Sequence, residues 1–151
     1  MPPGSSPADE KRKSIARQLV PWRVIYLYRP KCCPAEDKFL LVLQVTRYKV
    51  VYFFINTDPA PLPALADAQI PISRTTHRFL DWDSYLDCAR IYYEDYSEVE
   101  RQLLRDPRRV RGFIAAALRT QILETVETSR HLSPHQIKLV LDGLRGAQGQ
   151  E

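Results

Sequence analysis

Two apolar runs lie three residues apart near the middle of the chain: Phe39-Leu-Leu-Val-Leu-Gln-Val-Thr46 and Val50-Val-Tyr-Phe-Phe-Ile55, joined by Arg47-Tyr48-Lys49. Each has the length of a strand and is rich in β-branched and aromatic residues. The connection is too short for anything except an antiparallel hairpin. Both runs are apolar at successive positions, not only at alternate ones. Since neighbouring side chains in a strand point to opposite faces, both faces of this hairpin must be covered. That demand narrows the fold to a small curled or closed sheet, or a sheet under helices.

The flanking sequence supplies the other elements. Residues 22–28, Trp-Arg-Val-Ile-Tyr-Leu-Tyr, form a strand that stops at Arg29-Pro30. Pro59, Pro61 and Pro63 force a loop, because proline fixes its own backbone and lacks a donor. A short edge strand follows at 69–72. Residues 84–92 alternate as a strand after a turn at Asp81-Trp82-Asp83. Helices are expected over 96–105, from the Asp106-Pro107 start to about 129, and from the capping box Ser133-Pro134-His135-Gln136 onward. Gly143 and Gly146 mark the end of the last helix. The fold class is therefore α+β. One domain covers 20–145, with a small antiparallel β-barrel over about 20–95 and helices over about 96–145. Residues 1–19 are a flexible arm, with a helical turn at 14–19, and residues 146–151 are a disordered tail. At 151 residues, 44% hydrophobic and 26% charged, the chain suits one globular core.

Three cysteines, two of them adjacent at Cys32-Cys33, give no disulfide framework and place the protein in the reducing cytoplasm. Cys88 is expected to pack as a small buried hydrophobe. No run of about 18 apolar residues exists to cross a membrane, and the N-terminal stretch lacks the apolar core of a secretory signal.

Strong catalytic motifs are missing. No glycine-rich phosphate loop, His-Glu-x-x-His zinc motif or Gly-x-Ser-x-Gly elbow is found. His77, His131 and His135 share no useful spacing. Asp81, Asp83 and Asp87 form a carboxylate cluster around Trp82, of which Asp81 and Asp83 read best as turn and capping residues. The basic residues are more suggestive, in a chain of net charge +4. Arg29, Lys31 and Lys38 flank the first inter-strand loop, and Arg47 and Lys49 the next turn. Tyr26, Tyr28, Tyr48 and Tyr52 are interleaved with them, so base stacking beside phosphate contacts is available. A second basic cluster, Arg101, Arg105, Arg108, Arg109 and Arg111, straddles a helix start.

The order of these elements resembles the MazF/PemK-like toxin family. The resemblance rests on the first strand, the basic loop, Lys38-Phe-Leu-Leu-Val-Leu-Gln44, a strand ending Phe54-Ile-Asn-Thr57, the Ile70-Pro-Ile-Ser73 segment and Asp83-Ser-Tyr85 entering a strand. It spans roughly residues 20–95. It implies an SH3-like barrel that forms a homodimer and binds single-stranded RNA. It further implies metal-independent endoribonuclease activity without a cofactor, restrained by an antitoxin protein. In that scheme Lys38 stands where the family has an arginine followed by proline, and would stabilise the charge on the phosphorane. Asn56 stands at the family's threonine; it or Thr57 would position the ribose 2′-OH, while Arg29, Lys31, Arg47 and Lys49 steer the strand. Lysine keeps the charge but loses the two-pronged donor. The alternatives are a catalytically inactive SH3-like protein-interaction module and a purely structural domain.

Overall fold

The structure, a computed structural model, describes residues 6–29 and 35–147. The expected hairpin is present: strand β2 (Glu36–Val45) pairs antiparallel with β3 (Lys49–Asn56), with Leu41 opposite Phe53 and a bulge between Val42 and Gln44. Strand β1 (Arg23–Arg29) lies on the other side of β2. The outer edge of β3 is divided between β5 (Ser84–Asp87) and β6 (Tyr92–Asp95), and β4 (Gln69–Ile72) pairs with β5. A last strand, β7 (Val110–Phe113), adds to β1. The order β4-β5-β3-β2-β1-β7 makes a curled half-barrel, entirely antiparallel, with β4 and β7 at its two ends.

Both faces are covered by helices, as the double apolar pattern requires. Leu41, Leu43, Val51 and Phe53 face helices α3 (Ala116–Glu127) and α4 (Pro134–Gly146) through Ile122, Val126, Val140 and Leu144. Their neighbours Leu40, Val42, Val50 and Tyr52 face the other way. They pack with Ile15 of α1 (Pro7–Gln18) and with Val99 and Leu103 of α2 (Tyr96–Arg105).

One residue ties the layers together. Trp22 is fully buried and adopts φ 74°, a left-handed conformation that only surrounding constraints hold in a tryptophan. Its backbone N–H donates to the Val42 carbonyl (2.9 Å), its carbonyl accepts from Ile114 (3.1 Å), and its indole N–H donates to the Leu144 carbonyl (2.9 Å) in the last turn of α4. Nearby, Gly143 lets α4 touch the strand. A Cβ there would lie 2.1 Å from the Leu43 carbonyl oxygen.

Several sequence expectations change. The flexible arm expected over 1–19 contains α1, started by a Ser6–Asp9 capping box and anchored by buried Ile15 and Leu19. The helix expected from Pro107 begins only at Ala116. Asp106 caps a single 3-10 turn (Pro107–Arg109), after which residues 110–113 pair with the edge of β1. Pairing that edge satisfies backbone groups that a helix would have left exposed. The strand expected over 84–92 is two strands. Between them Cys88 donates to the Ala68 carbonyl, and Asp87 accepts from the Ala89 amide. Gly143 lies within α4, and its close approach to β2 explains it better than a helix stop. Residues 1–5, 30–34 (with Lys31, Cys32 and Cys33) and 148–151 of the expected tail lie outside the described residues. Among the described residues, no helix is long and apolar enough to cross a membrane.

Gly→Ala in a helix interior ordinarily stabilises by about 0.5–1 kcal/mol. Here Gly143→Ala should destabilise by about 1–3 kcal/mol in urea denaturation, because the added methyl meets strand backbone that cannot yield. Gly146→Ala, with open space at its Cβ, should not.

Candidate functional site

The open end of the β2–β3 hairpin gathers three of the expected residues. Lys38, next to Phe39, and Asn56, next to Ile55, face each other across the register that pairs Phe39 with Ile55. The Lys38 ammonium donates to Asn56 Oδ1 (2.8 Å), lies 3.6 Å from Glu36 Oε1, and sits 4.9 Å from the centre of the Phe54 ring. Thr57 follows directly, exposed, and lines the same cleft of about 330 Å³. The tilted ring pair Tyr26 and Phe39 (centroids 4.5 Å apart) forms one wall, and Trp82, 68% exposed, the other.

The charge of this cleft differs from the expected cationic groove. Among the described residues, Glu36, Asp37, Asp58 and Asp81 line it beside one cation, Lys38. Arg109 reaches in from the turn before β7 and donates to the Tyr26 carbonyl (2.9 Å) and to Asp37 Oδ1 (2.7 Å). The Arg111 guanidinium lies 5.4 Å from the Tyr26 ring centre and 6.0 Å from that of Phe39. The Tyr26 phenol is held above its ordinary pKa, first by burial and then by Asp37 and Asp81, against the pull of Arg109 and Arg111. Tyr26 thus stays protonated and offers a donor, not a base.

The remaining expected residues do not join them. Arg29 is buried on the α2 side of the sheet; its guanidinium pairs with Glu94 at 2.6 Å and lies 5.3 Å from the Tyr52 ring centre. Its charge is satisfied inside the protein. Lys31 lies outside the described residues. Arg47 and Lys49 occupy the hairpin turn, with Arg47 against the Tyr48 ring and Lys49 paired with Asp95. Nine residues of extended chain, roughly 30 Å, separate Arg47 from Lys38. A hairpin places its turn and its open end at opposite ends, so these basic loops do not share one rim.

The sequence marks the neighbouring arginines as basic residues but does not place them beside the cleft. On one side, Arg74 and Arg78 line a hollow that shares Asp81 and Trp82 with it, and Asp83 Oδ1 accepts from the Arg74 amide (2.8 Å) as a turn residue should. On the other side lies a basin of about 440 Å³, lined by Tyr28, Gln102 and four arginines of α2 and the 3-10 turn. Beyond its β7 pairing, the β1 edge is covered by side chains. Gln102 accepts from the Tyr28 N–H (2.9 Å) and donates to the Tyr28 carbonyl (3.0 Å), imitating a neighbouring strand. The one available signal was the arginine run 105–111; placing it in a helix hid its position on a sheet edge.

The histidines and Cys88 have structural environments. His77 is buried, and its Nε2 accepts from the Ala115 N–H (3.0 Å). The ring proton therefore sits on Nδ1, which donates to the Ser73 carbonyl (3.0 Å) and leaves no lone pair for a general base. His131 and Arg130 both hold Asp67, whose carboxyl lies below the usual range because of these hydrogen bonds, His131 first. His135 is exposed on the first turn of α4. Burial, with Asp87 adding to it, pushes the Cys88 thiol up, so it is no nucleophile. Among the described residues no three metal-ligating side chains cluster.

No protein-family model matches the chain, and no curated protein matches it. What it does must be argued from this geometry.

His77→Leu should cost about 1–3 kcal/mol, since it leaves the Ala115 amide without its buried partner while the Ser73 carbonyl keeps the backbone N–H of residue 77. Chemical denaturation measures it.

Proposed function

We propose that this chain is a cytoplasmic, MazF/PemK-like RNA-binding protein with an SH3-like sheet, which takes single-stranded RNA at the open end of the β2–β3 hairpin. The observation that carries this reading is the grouping of Lys38, Asn56 and Thr57 in one cleft beside exposed Trp82 and the Tyr26–Phe39 wall. Bases stack on the aromatic walls. The carboxylates accept hydrogen bonds from base N–H groups, as Asp and Glu do from cytosine N4. Phosphates lie outside the cleft, on Arg74, Arg78 and Arg111. The likeness to the family adds a homodimer and an antitoxin partner.

Cleavage is the finer part of the proposal. The Lys38 ammonium has three donors and gives one to Asn56, so it retains donors for a phosphorane oxygen. Thr57 presents its hydroxyl on the same cleft to orient the 2′-OH. The 2′-OH attacks the adjacent phosphorus to close a 2′,3′-cyclic phosphate and breaks the bond to the 5′-oxygen; a cleft carboxylate accepts the 2′ proton, and water protonates the departing 5′-oxygen.

The charge balance favours a second reading, a catalytically inactive interaction module. Among the described lining residues, four carboxylates, one of them paired with Arg109, against one lysine oppose the approach of a phosphate to the cleft floor.

Trp82→Ala should weaken single-stranded RNA binding about 5-fold to 150-fold, the worth of one stacked base. Arg47→Ala with Lys49→Ala should leave affinity within about twofold; a gel-shift titration over a salt series reads both. On a long RNA, Lys38→Ala and Thr57→Ala should lose cleavage that the parent shows. Equal cleavage by all three rejects these catalytic roles, and no cleavage by the parent with retained binding selects the inactive module.

A further inference from the structure

The arginine basin beside the cleft points to a second ligand site, and we propose that it binds a phosphorylated nucleotide, with the phosphates on the arginines and the base against Tyr28. The inference rests on the basin alone and does not need the RNA reading.

Four guanidiniums, Arg101, Arg105, Arg108 and Arg109, line the basin against one carboxylate, Asp106. They come from two elements: Arg101 and Arg105 from the last two turns of α2, Arg108 and Arg109 from the 3-10 turn that follows. Asp106 is already engaged, since its Oδ1 accepts from both the backbone N–H (3.2 Å) and Nε (3.0 Å) of Arg108. These bonds leave both terminal nitrogens of Arg108 free to donate. Arg109 uses only Nη1 for Tyr26 and Asp37, which leaves Nε and Nη2. Arg101 gives Nε and Nη2 to Glu98 and keeps Nη1. Arg105 is exposed and makes no hydrogen bond or ion pair among the described residues. Glu98 and Asp37, outside the lining, pair with Arg101 and Arg109, so the excess positive charge is that of Arg105, against about half a unit of opposing partial charge from the carbonyls that end α2.

The floor is rigid. Gln102 is buried and grips both backbone groups of Tyr28, so the ring of that residue, 42% exposed, is held at the basin wall. Donors arriving from two elements suit the tetrahedral oxygens of a phosphate better than a planar carboxylate, which one arginine fork already satisfies. A volume of about 440 Å³ leaves room for a ring beside the phosphates.

The test is a titration of the full chain with ADP, followed by the Arg Nε–H and Tyr ring resonances. ADP should shift the signals of Arg101, Arg105, Arg108, Arg109 and Tyr28, and adenosine should not. Arg105→Gln, which breaks no contact of the fold, should keep the parent melting temperature and weaken ADP about 10-fold to 150-fold, the worth of one charge-assisted hydrogen bond. No shifts in the basin, an unchanged ADP affinity in Arg105→Gln, or equally tight binding of a triglutamate peptide would overturn the proposal. Competition by a 5′-phosphorylated RNA hexamer, with a 5′-hydroxyl hexamer as its comparison, identifies the source. Displacement of ADP only by the phosphorylated strand assigns the site to RNA ends, and no displacement by either assigns it to free nucleotides. ADP binding without any RNA binding supports the basin and defeats the cleft reading; RNA binding without ADP binding does the reverse.

Discussion

A hairpin that is apolar on both faces cannot stand at a protein surface, and the rest of this molecule answers that constraint. Leu40 and Leu41, adjacent in β2, enter different cores. Each core needs its own helical cover, and α1–α2 and α3–α4 supply the two. Trp22 then fixes their relation, because its backbone bonds join β2 to the connection between β7 and α3 while its indole holds the end of α4. Gly143 lets α4 settle onto β2 at that junction. The strained backbone of Trp22 is maintained by these bonds and by complete burial.

The same hairpin decides which charged residues can cooperate. Antiparallel pairing brings Lys38 to Asn56 and sends Arg47 and Lys49 to the far end. Sheet curvature and the late strand β7 then place Arg109 and Arg111 beside Tyr26, although more than 80 residues separate them in sequence. The open end is thus a patchwork: an acidic, aromatic cleft between two arginine-bearing hollows. Such alternation suits a ligand with stacking rings and separate charged groups better than a uniform polyanion. Lys38 matters there as the one cation on the cleft floor among the described residues.

Much of the fold was legible because it follows from short-range rules. The apolar runs gave β2 and β3 with their pairing, Tyr96–Arg105 was read as a helix with its observed bounds, and the Ser133–Gln136 capping box opens α4. Readings failed where a distant partner overrode local pattern. Asp106-Pro107 is a sound helix start, yet the unpaired edge of β1 claims residues 110–113. Residues 7–18 carry a low apolar content, and it is Ile15 and Leu19 packing with α2 that makes their helix part of the core. At the site, proximity of Lys38, Asn56 and Thr57 followed from the hairpin alone. The burial of Arg29 did not, because Glu94 reaches it only after β6 folds back onto β3.

Photocrosslinking reads out whether single-stranded RNA occupies the open end of the hairpin, as we propose. A 4-thiouridine-containing single-stranded RNA, irradiated on the protein and mapped by mass spectrometry, meets an exposed aromatic target at each end of the hairpin. Trp82 marks the cleft, and Tyr48, 70% exposed, marks the turn with Arg47 and Lys49. The account predicts crosslinks at Trp82 and Tyr26 with none at Tyr48. Crosslinks concentrated at Tyr48, or a yield at Trp82 no higher than that of a bystander protein, would contradict it.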